Sequence, residues 1–375
     1  MPQRLDKYIL YAALFLILVG FIAILSASPI SAAHQYGDGL YYVKRQFISL
    51  LIGLLVCFVM TKLDYRLLRF LAAPGLFISL FLLVLTYIPT FSVNAGGASR
   101  WIRLGLLSFQ PAELVKVFII IYIAQAVVQK KYVIKDFLRG LLPLLLVSGI
   151  FILGILGQPD LGTSLVVTVV VLIMFIVAGC NLADLFLLSL IGFRALFFWI
   201  ERNPYQLKRL LVFFNPAEDR FGAGYHIWQS LIAVGSGGLF GLGLGQSRQK
   251  FAYLPENHTD FIFAVICEEG GIIWGGLVVL AFAVLVLRGI RLSTRVEDPF
   301  GAFLALGFSL CLGIQAIVNM MVTTALLPTK GITLPFVSSG GSSLIVSLFM
   351  LGVILRVSRE AQSRKIQNAK QVYGI

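Results

Sequence analysis

The chain has 375 residues, of which 59% are hydrophobic and only 13% are charged, and its mean hydropathy is +0.93. This composition excludes a pair of soluble domains, because apolar runs long enough to cross about 30 Å of hydrocarbon recur along the chain. The net charge of +13 does not indicate nucleic-acid binding, since Lys and Arg lie mostly in short loops and in the C-terminal tail. That distribution is typical of membrane orientation and of contact with anionic lipid.

The apolar runs predict an all-α polytopic membrane protein with about ten transmembrane helices. Both termini are predicted to be cytoplasmic, because the inner segments then carry the majority of the Lys and Arg residues. The first run is too long for the apolar region of a signal peptide, so a retained span is expected. The predicted spans cover 8–27, 46–61, 69–88, 111–128, 140–157, 162–179, 184–200, 258–287, 300–322 and 341–356.

The whole chain, 1–375, is predicted to form one transmembrane domain. A large loop, 201–257, lies on the outer side between spans seven and eight, and a basic tail, 357–375, lies in the cytoplasm. The outer loops contain most of the Gly, Pro, aromatic and acidic residues outside the spans. Because long structured loops commonly carry function, the functional residues are expected on the outer side.

Glu113 and Lys116 form the first candidate pair, near the outer start of the fourth span. They lie three residues apart on one helical face, and Pro111 before them suits the first turn of a helix. Ionisable groups in a span are functional hypotheses by default. A structural ion pair and the charged wall of a cavity open to the outside both explain them.

Three carboxylates stand at the start of the eighth span. Asp260 lies at its outer entrance and is either a helix N-cap or a functional acid. Glu268 and Glu269 would lie about 12 Å deeper and point elsewhere on a helix. They are therefore predicted to be a structural pair that holds helices together, with Lys116 or Arg194 as partners.

Glycines mark three further sites. Gly271 and Gly275 form a GxxxG step that would allow close helix packing. On the outer side, Arg248 and Lys250 follow a glycine-rich segment that suits close approach of a phosphate. A second outer segment reads TKGITLPFVSSGGSS, and its candidate anion-binding residues, at a helix entrance, are Lys330, Ser338, Gly340, Gly341 and Ser342. A purely structural turn is the alternative there.

Four blocks of the sequence resemble, in the same order, the signature blocks of the SEDS family (shape, elongation, division and sporulation). They are GGASRWIRLGLLSFQPAELVKV, GQPDLGTS, GYHIWQSLIAVGSGGLFGLGLGQSRQKFAYLPENHTDFIFAVICEEGG and LPTKGITLPFVSSGGSSLI. The form LPTKGITLPF is most similar to the division branch. Ser339 departs from the Tyr that the family usually has, and Cys267 stands where Gly or Ala is common.

This resemblance implies a ten-span peptidoglycan glycosyltransferase. Such a protein polymerises lipid II at the outer face of the bacterial cytoplasmic membrane. It works with a class B penicillin-binding transpeptidase and with other membrane proteins of the division or elongation machinery. By the same resemblance Asp260 is the essential acid, and the residues carried over as substrate-binding are Trp101, Arg103, Glu113 and Lys116.

The chemistry of lipid II agrees with these residue types. Its sugar is carried on a diphosphate, which is already a good leaving group, so the remaining needs are a base for the acceptor hydroxyl and positive charge for the diphosphate. Arg and Lys, or a divalent cation such as Mg²⁺ or Mn²⁺, can supply that charge. No organic cofactor is expected, and the residues taking part in any metal site are unknown.

Two other functions are compatible with parts of the sequence. A lipid II flippase would need a polar path through the whole membrane and would tolerate substitution of Asp260. A non-catalytic scaffold for division proteins would need its helix-packing glycines and not its outer polar residues.

Overall fold

The computed structural model describes residues 5–95, 98–104, 107–214, 222, 224–250, 254–328 and 331–373. The described ranges are predominantly helical, and ten of their helical segments are long and apolar enough to cross a membrane, which confirms the predicted fold class. The helices are α1 (Lys7–Ala27), α2 (Pro29–Tyr36), α3 (Tyr41–Lys62), α4 (Leu68–Leu85), α5 (Pro111–Gln129), α6 (Leu142–Gly157), α7 (Leu161–Ala178), α8 (Leu182–Arg202), α9 (Pro204–Phe214), α10 (Tyr225–Ser236), α11 (Ile262–Ser293), α12 (Pro299–Thr323) and α13 (Gly341–Tyr373).

The span-length helices are α1, α3 to α8 and α11 to α13. The short α2 lies between the first two spans, and α9 and α10 lie in the large loop between α8 and α11. Helix α13 continues to Tyr373, so the predicted tail extends the last helix.

Several helices begin where the local sequence predicts a start. The Asp160 carboxylate accepts a hydrogen bond from the Thr163 amide at the start of α7 (3.0 Å), which satisfies one of the free amides of the first turn. Helix α12 starts in the same way after Asp298, with Pro299 at its first position. These N-caps fix the ends of α7 and α12 in the bundle.

Helices α5, α12 and α13 form the centre of the bundle. In the apolar window of α12, 78% of residues are buried inside the protein, whereas only 6% are buried in that of α8, which lies at the periphery. Small residues allow the central contacts to be close, as Gly307 of α12 packs against Ile120 of α5. The buried centre therefore positions the outer ends of α5, α12 and α13.

A small antiparallel sheet lies between α4 and α5, in a segment expected to be loop. Its strands β1 (Ser92–Ala95), β2 (Ala98–Leu104) and β3 (Leu107–Phe109) pair in the order β1-β2-β3. In the antiparallel pairing of β2 with β3, Arg103 is opposite Ser108. The sheet places β2 and β3 beside the outer ends of the central helices.

Helix α11 is broken at Gly271, so Gly271 and Gly275 do not form the helix-to-helix packing step that their GxxxG spacing predicted. Gly271 has φ 71° and ψ −171°, a conformation that is essentially restricted to glycine. The close approach at Gly271 involves the loop after α10, because a β-carbon there would lie 2.3 Å from the Leu239 carbonyl oxygen. Gly275 faces Cys267 and Phe263 of its own helix. The segment that carries Asp260 is therefore joined to a half-helix.

The glycine-rich loop after α10, residues 237–250, is called the glycine loop. It replaces the hydrogen bonds that α11 loses at the break. The amides of Leu242 and Gly243 donate to the carbonyls of Glu268 and Glu269, at 2.9 and 3.0 Å. In return, the amide of Ile272 donates to a carbonyl of the loop. Because buried backbone groups in a membrane must be satisfied within the protein, this pairing is what permits a broken helix at that depth.

Candidate functional site

A cavity of about 910 Å³ lies at one end of the bundle, on the side that the charge distribution predicts to be outer. Its walls come from α3, strands β2 and β3, the start of α5, the turn before α11 and the segment between α12 and α13. Residues distant in sequence thus meet in one site. Of the predicted site residues, those that line it are Trp101, Glu113, Lys116, Asp260, Gly340 and Gly341.

Asp260 lies in the turn before α11 and is not a helix cap. The N-cap position of α11 is Phe261, with no side-chain hydrogen bond, so the Asp260 carboxylate is left half-buried in the cavity wall. Its backbone is fixed from behind, because the Asn319 side-chain amide donates to both the Asp260 and the Ile332 carbonyl oxygens, at 2.9 and 2.7 Å. The acid is therefore held between α11 and α12.

The pKa of Asp260 is raised to about 7. Burial is the largest cause, and the negative charges of Glu256 and Asp160 add to it, while the positive charges of Arg100 and Arg209 act in the opposite direction. A pKa near the operating pH suits a general base.

Arg100 on β2 was not among the predicted site residues, yet it lines the cavity next to Asp260. Its guanidinium donates to the carbonyl oxygens of Gln158 and Pro159, at 3.0 and 2.6 Å. Both acceptors are neutral, so these bonds orient the guanidinium without cancelling its charge. The predicted Arg103 lies on the same strand, and its side chain is outside the described residues.

Glu113 and Lys116 form the ion pair that their spacing predicted, with 2.9 Å between Oε2 and Nζ and both side chains buried. Lys116 Nζ also donates to Gln315 Oε1 at 2.5 Å, and the Gln315 amide donates to the Thr333 carbonyl oxygen. By way of Gln315 of α12, the pair thus links α5 to the segment that faces Asp260. The charge of Lys116 is largely matched inside this network.

The predicted anion-binding serines have different environments from one another. Ser338 is engaged by the backbone: its hydroxyl donates to the Thr259 carbonyl oxygen (2.6 Å) and accepts from the Leu334 amide. This contact ties the turn carrying Asp260 to the segment before α13, so Ser338 acts structurally. Ser342 is buried in the first turn of α13, and its hydroxyl has no hydrogen-bond partner among the described residues. Lys330 lies outside the described residues.

Arg248 and Lys250 are not in the cavity wall, which contradicts their predicted place in the site. The Arg248 amide donates to Glu268 Oε1 at 2.9 Å, and Lys250 Nζ donates to the Gly245 carbonyl oxygen. Both residues belong to the loop that packs on the broken part of α11.

Glu268 and Glu269 are buried and are not part of the cavity wall, which fits a structural pair. Their predicted partners, Lys116 and Arg194, were wrong. Glu268 Oε2 accepts from the Ser247 hydroxyl and Glu269 Oε1 accepts from the Ser26 hydroxyl, each at 2.5 Å. The pair ties α11 to the glycine loop and to α1.

Further cavity residues were not among the predicted site residues. They include Tyr42, Arg45 and Gln46 of α3, which lie outside the four signature blocks, and Gln110 and His258, which lie within them. The signal that could have found Arg45 is its position at the outer end of a span, where a cation faces the same side as Asp260.

The sequence model of the FTSW_RODA_SPOVE family, described as a cell cycle protein, matches residues 6–363. The chain belongs to this family. Among curated members, the probable peptidoglycan glycosyltransferase FtsW of Geobacter sulfurreducens is 43% identical over 95% of each chain. Stage V sporulation protein E of Bacillus subtilis is 42% identical, over 94% of this chain and 97% of its own. The FtsW relatives agree with the division-branch resemblance, although the sporulation relative is almost as similar.

Solved structures of the FTSW_RODA_SPOVE family have the same fold. A chain from a study of the structural coordination of polymerization and crosslinking by a peptidoglycan synthase complex superposes with a TM-score of 0.78, at 30% identity over 95% of this chain and 98% of that one. RodA of Thermus thermophilus gives a TM-score of 0.69, at 29% identity over 95% of this chain and 97% of its own. The chain is therefore a multi-pass membrane protein of this fold.

The donor set for a divalent cation is limited within this site. Among the described residues, no group of three or more His, Cys, Asp or Glu side chains converges on one point. Mg²⁺ is commonly bound by one or two carboxylates together with substrate phosphates. The cavity therefore fits a cation that enters with a diphosphate better than a metal held by protein ligands alone.

Proposed function

We propose that this protein is a peptidoglycan glycosyltransferase that polymerises lipid II into β-1,4 glycan strands, with Asp260 as the general base. The observation that carries the proposal is the Asp260 carboxylate in the wall of a cavity of about 910 Å³ that also contains Arg45 and Arg100. Burial, which raises the pKa of Asp260 to about 7, is consistent with this role. The peptidoglycan glycosyltransferase activity named for the FtsW relatives supports the same reaction class.

In the proposed reaction Asp260 accepts the proton of the acceptor sugar's 4-hydroxyl. The oxygen forms a bond to the anomeric carbon of the donor sugar, and the bond from that carbon to the diphosphate oxygen breaks. The leaving lipid diphosphate takes the electron pair, so positive charge beside it stabilises the transition state. A single displacement inverts an α-linked donor to a β-linked product. One carboxylate suffices, because a diphosphate does not need the acid that a leaving sugar requires.

The buried pair of Glu113 and Lys116 has a positioning role in this proposal. Through Gln315 it holds the segment that carries Gly331 and Thr333 against the Asp260 turn. If a divalent cation binds with the diphosphate, it supplies additional positive charge at the leaving group. Asp260 and the cavity Arg residues then orient the sugars and the phosphates.

The proposed location is the bacterial cytoplasmic membrane, with the cavity on its outer face. A class B penicillin-binding transpeptidase is the proposed partner, together with other membrane proteins of the division or elongation machinery. The similar chain from a peptidoglycan synthase complex supports a partner that crosslinks the glycan.

The test is polymerisation of labelled lipid II by the purified protein with its transpeptidase partner and Mg²⁺ or Mn²⁺. Asp260→Asn should lower the rate by about 10²-fold or more, because the general base is lost. Asp38→Asn is the matched control, since Asp38 is an exposed outer-side carboxylate paired with Lys44. The wild-type product should be cut by a β-1,4-specific muramidase.

Near wild-type polymerisation by Asp260→Asn would refute the general-base assignment. Transport of lipid II across vesicles by wild-type protein that makes no glycan would support a flippase instead. Neither activity, together with intact recruitment of division proteins, would support a scaffold. The names of the FtsW relatives favour the enzyme over both.

A further inference from the structure

We infer that Arg45, together with the N-terminal turn of α13, binds the diphosphate of the lipid-linked substrate. This inference rests on the proposed function and assigns one part of the cavity to one part of the substrate. Asp260 and Arg100 form the base side of the cavity, and Arg45 and α13 form the leaving-group side.

Arg45 is a cavity cation whose charge is not cancelled by any carboxylate among the described residues. It lies at the outer end of α3, half-buried in the cavity wall, and its Nη2 donates to the Ser108 hydroxyl at 2.5 Å. Among the described residues, no carboxylate lies within ion-pair distance of Arg45. Lys116, by contrast, is already paired with Glu113 at 2.9 Å. A guanidinium held by one neutral hydroxyl is oriented for an anion, and its planar fork suits a phosphate.

The start of α13 adds a second source of positive potential. Gly340 and Gly341 form part of the cavity wall, and the amides of the first helical turn have no partners within the helix. Ser342 in that turn is buried, and its hydroxyl has no hydrogen-bond partner among the described residues. Because Gly340 and Gly341 lie in the cavity wall, the positive end of the α13 helix dipole faces the cavity beside Arg45.

The two parts of the site are held in a fixed relationship. Gln46, next to Arg45, accepts a hydrogen bond from the Gly340 amide and donates one to the Ser338 carbonyl oxygen, both at 3.2 Å. Farther along the same helices, Gly53 of α3 packs on Leu348 of α13. Arg45 and the α13 terminus are therefore already in place before an anion binds. This preorganisation lowers the free-energy cost of binding.

The anion site is also tied to the base. The Ser338 hydroxyl donates to the Thr259 carbonyl oxygen, and the Ser339 amide donates to the His258 carbonyl oxygen at 2.9 Å. The residues immediately before the α13 terminus thus contact the turn that carries Asp260. This arrangement can hold the anomeric carbon between the leaving group and the base.

The experiment measures binding without turnover. In an Asp260→Asn background, the affinity of the purified protein for lipid II is compared with its affinity for undecaprenyl phosphate, which has one phosphate fewer and no sugar. Inorganic pyrophosphate serves as a competitor. The variants are Arg45→Gln, Arg45→Lys and the matched control Lys44→Gln, whose side chain is exposed on the same helix and paired with Asp38.

Arg45→Gln should weaken lipid II binding by about 10- to 100-fold, the value of a charge-assisted hydrogen bond to a charged group, and should abolish competition by pyrophosphate. Arg45→Lys should recover part of the affinity, and Lys44→Gln should bind as the parent does. Equal lipid II affinity for Arg45→Gln and the parent would overturn the inference. If Arg45→Gln fails to fold, as thermal unfolding would show, Arg45→Lys provides the test instead. An Arg45→Lys variant that binds lipid II with full affinity but is no longer competed by pyrophosphate would also overturn the inference.

This result is separable from the proposed function. A parent that binds lipid II while wild-type protein makes no glycan would refute the glycosyltransferase and leave the diphosphate site standing. Polymerisation by wild-type protein with no effect of Arg45→Gln on lipid II affinity would refute the site alone.

Discussion

Asp260 and Arg100 approach each other across Gly331. The position that a β-carbon of Gly331 would occupy is 3.0 Å from Asp260 Oδ2 and 3.7 Å from Arg100 Nη1. The acid and the cation are not within ion-pair distance, so Arg100 lowers the pKa of Asp260 through space while burial raises it. The ionisation of the proposed base is set by burial together with the charges of four residues, Glu256, Arg100, Asp160 and Arg209.

Arg100→Gln should move the acidic limb of the pH–rate profile to higher pH. Asp260 must be deprotonated to act as a base, so activity rises as the pH passes through its pKa of about 7. Without the Arg100 charge that pKa rises, and the variant loses activity at pH 7 that it regains in more alkaline buffer. The measurement is kcat/KM for lipid II against pH, with thermal unfolding as a check on folding.

Glu256→Gln should have the opposite effect on the same profile. Glu256 is exposed, and its negative charge raises the pKa of Asp260, so its removal lowers that pKa. The acidic limb then moves to lower pH. If the limb moved in the same direction in both variants, its assignment to Asp260 would be contradicted. The charges of Asp160 and Arg209, which also act on the Asp260 pKa, are unchanged in both variants.

Gly331→Ala should lower polymerisation by about 10-fold or more while the protein stays folded, because a methyl group would occupy the space between the base and Arg100. Gly149→Ala is the control, since a β-carbon at Gly149 meets nothing within 4 Å. Comparable rates for the two alanine variants would show that the space beside Gly331 is not used by the substrate.

Gly271→Ala should destabilise the protein by about 1–3 kcal/mol or more, the cost of forcing a glycine-only backbone conformation on another residue. Its methyl group would also overlap the Leu239 carbonyl oxygen. Gly276 on the same helix has open space around a β-carbon, so Gly276→Ala should leave stability nearly unchanged. Thermal unfolding in detergent or nanodiscs measures both, and a smaller loss for Gly271→Ala than for Gly276→Ala would rule out the break in α11.

Lys116→Met should destabilise the protein by about 3–5 kcal/mol, because it leaves the buried Glu113 carboxylate without its cation. The double variant Lys116→Met with Glu113→Leu should recover much of that loss. Lys44→Met breaks an exposed pair with Asp38 and should cost at most about 1 kcal/mol. Equal losses for Lys116→Met and Lys44→Met in denaturation experiments would argue against a tightly packed pair.

The ten spans follow from the sequence alone, and the spacing of Glu113 and Lys116 on one helical face already made an ion pair one of their two interpretations. These features depend on local properties: the length of apolar runs and the geometry of neighbouring turns on one helix. The separation of Asp260 from Glu268 and Glu269 could also be derived, because residues eight or nine positions apart differ in depth.

Which residues share the cavity depends on how the helices assemble. Arg45 and Arg100 are far from Asp260 in sequence, and although Arg100 lies in a signature block beside Trp101, its spacing does not show that it faces the acid. The same limit explains why Arg248 and Lys250 were misplaced and why the break at Gly271 was missed. A glycine-rich segment can bind an anion or pack against a helix, and the contacts that choose between these outcomes form only when the helices assemble. The exposure and the pKa of a site residue depend on those long-range contacts, whereas the insertion of a span depends on the length of its apolar run.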